Sequence, residues 1–235
     1  MTTSTRTSQN ISEALGSELI TDSGFDAVTK ATAKNVTGIT KATPGIVTFA
    51  AGHGYANGDI IYFSGLTQMT ELNAEYWQLQ NNVGDTFELA VVYGGASLDT
   101  IGYVAAETTG GACAQKTTFT NWTQGVGWHG GVDGAGALTG KAQKIAGTAS
   151  DLEQDVSAVA TNVYRVAHTA TRTAGSETPK VGGASGAAHS SADTFTDNIG
   201  PATTTGNLQI SANATFAGTI DTVSCKQIIR RAAPD

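Results

Sequence analysis

Charged side chains are scarce in this chain: Asp, Glu, Lys and Arg make up 14% of its 235 residues, against about 25% in typical globular proteins. Acidic residues outnumber basic ones, which gives a net charge of −7 and a pI near 5.0. A chain of this charge lacks the basic footprint that binds phosphate backbones and anionic lipids. Composition therefore argues against nucleic-acid binding and against a membrane partner.

Cysteine and long apolar runs are also lacking. Cys113 and Cys225 are the only cysteines, too few for a disulfide framework and without the paired spacing of a zinc site. We interpret them as two isolated buried thiols. No run of about 20 apolar residues could span a membrane, and the N-terminus has no apolar signal-peptide core. We expect synthesis in the cytoplasm without a cleaved leader.

Glycine, by contrast, is abundant, with 29 residues. Together with many Thr, Val and Ala residues it indicates short strands joined by turns. Neither heptads nor an alternation of helices and strands is present, which excludes a coiled coil and a parallel α/β sheet. The sequence predicts an all-β fold of one or two domains.

The first 16 residues, rich in Thr, Ser and Asn, form a segment that cannot bury enough apolar surface to order itself. We expect an extended N-terminal arm that is either floppy or docked on a partner. A short helical turn is possible within it, because Ser12 could cap the turn and Gly16 could end it.

Two pairs of β-rich runs follow in the middle of the chain. "GIVTFAA" and "DIIYFSG" are separated by "GHGYANG", which favours a hairpin or a tight β-corner, and "EYWQLQ" and "TFELAVV" bracket the turn "NNVGD". Alternation of polar and apolar side chains in the second pair indicates half-buried antiparallel strands. We expect a small barrel-like β-module here.

The region after Lys116 is again β-type. Glycine-rich links separate its strand candidates and indicate a sandwich or jelly roll. These candidates are "DLEQDVSAV", "NVYRVAHTATRT", "DTFTDNIG", "GNLQISANATF" and "GTIDTVSCKQII".

Several of these segments resemble a known family. "ELITDSGFDA", "NWTQGVGWHGG", "NVYRVAHTA", "VGGASG" and "FAGTIDTVSCKQI" are similar to the carbohydrate-binding-module-like jelly rolls that are frequent in tailed-phage virion proteins. The opener here has "TDSGF" where the family prefers "NGxF", and Thr222 stands where Asn is usual. These departures concern a ligand site more than the fold.

The middle segment has a resemblance of its own. It is similar to a small β-module that recurs in phage structural proteins and is named after the first catalytic-cysteine half-domain of ubiquitin-activating enzymes. The similarity implies a shared fold only. Seven residues carry it: His53, Gly54, Gly58, Asp59, Gly65, Asn73 and Phe87.

Together the two resemblances imply a domain insertion. The jelly roll would comprise residues 17–30 and 117–231, and the β-module would comprise residues 31–116. Residues 1–16 would be the arm and 232–235 a C-terminal tail. A surface loop tolerates such an insertion at little cost. The first strand, "ELITDSGFDA" (Glu18 to Ala27), would pair with a late strand and hold both ends of the chain in one sheet.

The jelly-roll resemblance also implies candidate sites. Asp26 and Asp221 match positions where carboxylates of the first and last strands hold a structural calcium ion; alternatively, Asp26 is a turn residue and Asp221 accepts a neighbouring backbone hydrogen bond. Trp122 and Trp128 could stack on sugar rings, although in the family these positions mostly fill the core, and core packing is our favoured interpretation.

Two further sequence features resemble functional sites but do not predict one. His53 has no second ligand at metal spacing, so we interpret it as a turn residue. Gly125 to Gly130 match the G-x-G-x-x-G pattern of dinucleotide sites, but the next residues make a poor helix and cannot receive a pyrophosphate. We therefore expect no cofactor other than calcium and no enzymatic activity.

The resemblance implies a virion location and a structural role. The leading hypothesis is an auxiliary capsid protein that decorates the phage head, with the major capsid protein as its partner and self-association as a further possibility. The alternative is a tail-fibre or baseplate component whose jelly roll binds host surface glycans. Exposed aromatic side chains clustered on one sheet face would favour the alternative.

Overall fold

The computed structural model describes residues 11–73, 75–91, 96–108, 112–132 and 138–232. Within these ranges the fold is all-β and antiparallel, with a sandwich-like pair of sheets and a separate curled sheet, as the sequence predicts. The helical content is one 3-10 turn at Thr70–Leu72. Residues 1–10 of the predicted arm and 233–235 of the predicted tail lie outside the described residues.

Nineteen strands make up the described chain. In chain order they are β1 (Ile11–Glu18), β2 (Val28–Lys30), β3 (Lys34–Ile39), β4 (Ile46–Phe49), β5 (Ile60–Ser64), β6 (Tyr76–Val83), β7 (Thr86–Ala90), β8 (Ala112–Gln115), β9 (Thr117–Phe119), β10 (Thr123–Gln124), β11 (Trp128–Val132), β12 (Leu138–Lys144), β13 (Ser150–Ala158), β14 (Tyr164–Ala174), β15 (Glu177–Val181), β16 (Ala184–Ser185), β17 (Asp193–Ile199), β18 (Gly206–Ala212) and β19 (Ala217–Ala232).

The sandwich consists of two antiparallel sheets. The first has the order β11-β12-β19-β14-β17, and β1 also pairs with β19. The second has the order β10-β13-β18-β15-β16. Side chains alternate along β13, β14 and β18, so that one face of each strand is buried between the sheets. The core between them includes Trp122, Trp128, Tyr164, Phe216 and Ile220.

The inserted module is a barrel with a core of its own. Its strands follow the order β3-β4-β7-β6-β5-β8, and pairing of β8 with β3 closes it. The predicted turn between β6 and β7 is confirmed, with Val83 paired to Thr86. Aromatic and aliphatic side chains fill the interior, among them Phe49, Phe63, Trp77 and Phe87. A closed barrel leaves no open sheet edge.

A short two-stranded ribbon, which we call the neck, carries the barrel. In it β2 pairs with β9, from Val28 opposite Phe119 to Lys30 opposite Thr117, and Ala31 N–H donates to the Lys116 carbonyl. The barrel strands all lie between β2 and β9 along the chain. The barrel is therefore attached by two adjacent chain segments at one point of the sandwich.

The opening strand differs from the prediction. Strand β1 pairs with β19, so the first and last strands share a sheet as expected, but β1 ends at Glu18, the first residue of "ELITDSGFDA", and Leu19 to Ala27 form a loop. In that loop the Asp22 carboxylate accepts the N–H groups of Asp26 and Ala27, donors that a strand would give to its neighbour.

Two other local predictions are wrong. The helical turn expected near Ser12 is strand, because pairing with β19 outweighs the local capping signals. Of the two interpretations of "GHGYANG", the hairpin is wrong, because β4 pairs with β3 and β7 whereas β5 pairs with β6 and β8; the tight β-corner is not contradicted. The segment between β4 and β5 instead connects strands that are not neighbours in the barrel.

Candidate functional site

The structure places both predicted calcium ligands next to β12. Asp221 of β19 lies 3.7 Å from Nζ of Lys141, and its Oδ1 accepts the N–H of Thr222 at 2.7 Å. Asp26 is exposed in the loop before β2, beside Gly140. Among the described residues, no three His, Cys, Asp or Glu side chains are arranged to hold a metal ion. The calcium site therefore stays a prediction, with Lys141 already neutralising one of its two carboxylates.

Both predicted tryptophans lie in the sandwich core. Trp122 is 4% exposed, packs on Phe25 with ring centroids 5.1 Å apart, and donates from Nε1 to the Asp22 carbonyl at 3.0 Å. Trp128 is 3% exposed and donates from Nε1 to the Ser150 carbonyl. A sugar ring stacks on an open aromatic face, which neither indole presents in this structure.

Two histidine–carboxylate pairs lie close together among β14, β15 and β17 and the segment after β16. His168 and Glu177 approach to 2.7 Å and are fully buried, and His189 and Asp197 approach to 2.7 Å nearby. Within the described ranges, the second oxygen of Glu177 and Nδ1 of His168 have no hydrogen-bond partner in the protein. Burial keeps the first pair out of reach of any substrate, so its role is to join the two sheets.

The buried pair of His168 and Glu177 was not predicted from the sequence, although the inward orientation of His168 could have been. His168 has the same phase along its strand as Tyr164, Val166 and Ala170, all of which are buried, and alternation predicts the inward orientation. Its partner Glu177 belongs to β15, a strand that the turn-rich sequence did not reveal.

The structure places His53 in the loop between β4 and β5, and the glycine pattern in a turn and the strand that follows it. His53 Nδ1 accepts the N–H of Tyr55 at 2.9 Å, and Nε2 lies 3.5 Å from Asp85 in the β6–β7 turn. The ring thus fixes the segment after β4 against that turn. In the glycine pattern, Gly127 has a φ of +81° in a turn that leads into β11, a strand and not a helix.

Barrel and sandwich touch along a seam, which we define by Asp59 and Tyr76 of the barrel, Lys116, and His129 and Gly130 of the sandwich. The rings of Tyr76 and His129 have centroids 4.0 Å apart, and the Tyr76 hydroxyl donates to the Gly130 carbonyl at 3.1 Å. Lys116 Nζ lies 3.3 Å from both oxygens of Asp59. These contacts fix the barrel against the sandwich beyond what the neck alone provides.

A cleft opens beside the seam. It has a volume of about 340 Å³ and is lined by the barrel segment 57–60, the neck segment 116–118 and the sandwich segment 124–129. Asp59 and Lys116 lie in its wall as an ion pair, with 22% and 35% of their side chains exposed. Thr117, Thr118 and His129 are also part of its lining.

The outer face of the first sheet is rich in threonine. Hydroxyl groups bond across the strands from Thr169 to Thr194 at 3.0 Å, from Thr171 to Thr219 at 2.6 Å, and from Thr222 to Thr169 at 2.9 Å. We call these five residues the threonine face. Their side chains are short and polar, so this face of the sheet bears several neighbouring hydroxyl groups.

No family model matches the chain, and no curated protein matches it with significant similarity. In the described part of the chain, no helix is long and apolar enough to cross a membrane. Of the aromatic side chains that the structure describes, none is exposed. These comparisons therefore identify no function, and the geometry of the described residues is the remaining structural evidence for one.

Proposed function

We propose that this chain is a structural protein of a tailed-phage virion, an auxiliary capsid protein that decorates the head and has no enzymatic activity. The observation that carries the proposal is the threonine face on a sandwich that bears a separately cored, inserted barrel. One module can lie on a lattice while the other projects from it. The resemblances of both modules to phage structural proteins support the same assignment.

In this proposal the threonine face lies against the major capsid protein. A sheet face with short hydroxyl side chains can approach another protein closely and form many hydrogen bonds, each of them weak. Thr171, Thr194 and Thr222 are exposed, and each hydroxyl has one donor and two acceptor sites, so it can bond a capsid group in addition to its cross-strand threonine. Repetition of the contact over a lattice would raise the total avidity without any single strong contact.

The proposal is tested by binding to purified particles. Capsids assembled without this chain are mixed with the protein and sedimented, alongside purified tails. Replacing Thr171 and Thr194 together by lysine puts two long charged side chains on the threonine face, and we expect more than a tenfold loss of binding to heads. The matched control is Thr178→Lys on the outer face of the second sheet, which is expected to bind like the unaltered protein.

Two results would overturn this assignment. Equal binding of the double variant and the control would show that the threonine face does not contact the capsid. Binding to tails but not to heads, together with retention on a glycan array, would favour the tail-fibre alternative. That alternative lacks support from exposed aromatic side chains in the described part of the chain.

A further inference from the structure

His129 occupies an unusual position in the seam. It is 2% exposed and belongs to the sandwich strand β11, yet its ring packs on Tyr76 of the barrel with centroids 4.0 Å apart. Along β11 the preceding residue, Trp128, packs in the sandwich core, so His129 points to the opposite face of the strand, toward Tyr76 of the barrel. The imidazole is therefore part of the joint between the modules and not of the interior of either one.

The hydrogen bonding of His129 suits only the neutral ring. Nδ1 lies 3.2 Å from the Gly130 carbonyl and donates to it, whereas Nε2 is buried and bonds to no protein group among the described residues. A proton on Nε2 would be a buried donor with no acceptor, which is costly.

The charged groups around His129 also oppose its protonation. The ammonium group of Lys144 on β12 acts on the ring with the same sign of charge. From the barrel, Tyr76 presents an uncharged ring, and Asp59 at the rim of the cleft is already paired with Lys116. Burial first, and the Lys144 charge in addition, lower the pKa of His129 to about 4, against the upward effect of its bond to Gly130.

We propose that the seam is an acid-sensitive joint, in which protonation of His129 separates the barrel from the sandwich while the neck keeps them connected. Each module retains its own core, so the joint can open without either module unfolding. The Tyr76 stack and its hydrogen bond to Gly130 are lost on opening, and His129 becomes solvated.

The direction of the effect follows from proton linkage. In the open state a solvated His129 takes up a proton near its ordinary pKa of 6.5, whereas in the closed state it does so only near 4. The open state thus binds more protons between these values. Each pH unit of acidification in that window shifts the ratio of open to closed molecules by up to about tenfold, or roughly 300-fold in total.

The experiment is small-angle scattering of the full chain, coupled to size exclusion, between pH 7 and pH 4. We expect the radius of gyration to rise as the pH falls while far-ultraviolet circular dichroism stays constant. His129→Phe keeps a ring against Tyr76 but cannot take a proton, and we expect it to remain compact at pH 4. Tyr76→Ala removes the contact and should be extended already at pH 7.

The matched control is His53→Phe, which removes a barrel histidine away from the seam and should open like the unaltered protein. A constant radius of gyration down to pH 4 would overturn the proposal. So would the same expansion in His129→Phe, because another group would then be responsible. Loss of the circular-dichroism signal together with the expansion would indicate global unfolding and would also contradict it.

Discussion

At the scale of single residues, Cys225 shows how the sandwich interior suppresses thiol chemistry. The side chain is fully buried on β19, and burial together with the nearby Glu18 charge raises its pKa to about 12. Only the thiolate reacts with alkylating and disulfide reagents. The side chain of the other cysteine, Cys113, lies outside the described residues, so the expected pair of buried thiols is established for one of them.

We predict that Cys225 of the native protein is not alkylated by iodoacetamide at pH 8, because the thiol is both neutral and inaccessible. Peptide mass spectrometry after labelling identifies which cysteine has reacted. The same protein in denaturant should be labelled at both positions. Modification of native Cys225 at the rate of a free thiol would show that β19 opens readily.

Glu18 ends β1 with a dense set of hydrogen bonds. Its carboxylate accepts the Ser224 hydroxyl at 2.6 Å and the Cys225 N–H at 2.7 Å, and it also accepts the N–H groups of Leu19 and Ile20. Burial acts to raise its pKa, but these hydrogen bonds outweigh burial and lower it. The charged carboxylate therefore stabilises the junction between β1 and the following loop.

Replacing Glu18 by Ala should lower the free energy of unfolding by about 1–3 kcal/mol at pH 7, since hydrogen bonds to a charged group are lost. The folded-state pKa is lowered, so this stabilisation is present above pH 4.5 and disappears as the pH falls below it. Urea denaturation at pH 7 and pH 3 measures both effects. Glu13→Ala, in exposed ion pairs on the same strand, should cost less than about 1 kcal/mol.

At the scale of elements, the neck depends on a close approach at Gly130. A Cβ atom on this residue would overlap Val28 of β2 and come within 3.3 Å of Thr117 of β9. The Gly130 carbonyl also accepts the hydroxyl groups of Tyr76 and Thr117. Strand β11, both neck strands and the barrel therefore meet around one glycine.

We expect Gly130→Ala to destabilise the protein by about 1–3 kcal/mol through overpacking. Gly102→Ala is the matched control, because a Cβ there meets nothing within 4 Å, and its effect should be close to zero. Thermal unfolding of both variants by calorimetry gives the comparison. A Gly130→Ala variant as stable as the control would mean that β2 and β11 are less closely packed than described.

The strands that could be predicted from the sequence are those in which polar and apolar residues alternate, because that alternation matches which side chains are buried. Strands β13 and β14 alternate between buried and outward residues, and the β6–β7 hairpin is marked by its turn. Strand β1 has no such pattern, because its place is set by β19 more than 200 residues away. His129 was equally hidden: it is buried by the barrel and not by its own sheet, so alternation does not reveal it.

At the scale of the whole molecule, the chain combines a sandwich with a barrel that is inserted through the neck and fixed by the seam. This arrangement gives a module that can rest on a surface and another held at a defined position relative to it. Its functional interpretation depends on the threonine face, while the calcium site predicted at Asp26 and Asp221 awaits further ligands. The partner that the proposed function implies is the particle and not a small molecule.

The most direct test is a cryo-electron microscopy map of particles carrying this chain, at a resolution that allows the sandwich and barrel to be placed. We predict density for the sandwich at repeated positions on the outside of the head, with Thr171 and Thr194 facing the major capsid protein and the barrel turned away from the lattice. Density confined to the tail or baseplate, or a head surface without this protein, would contradict the account.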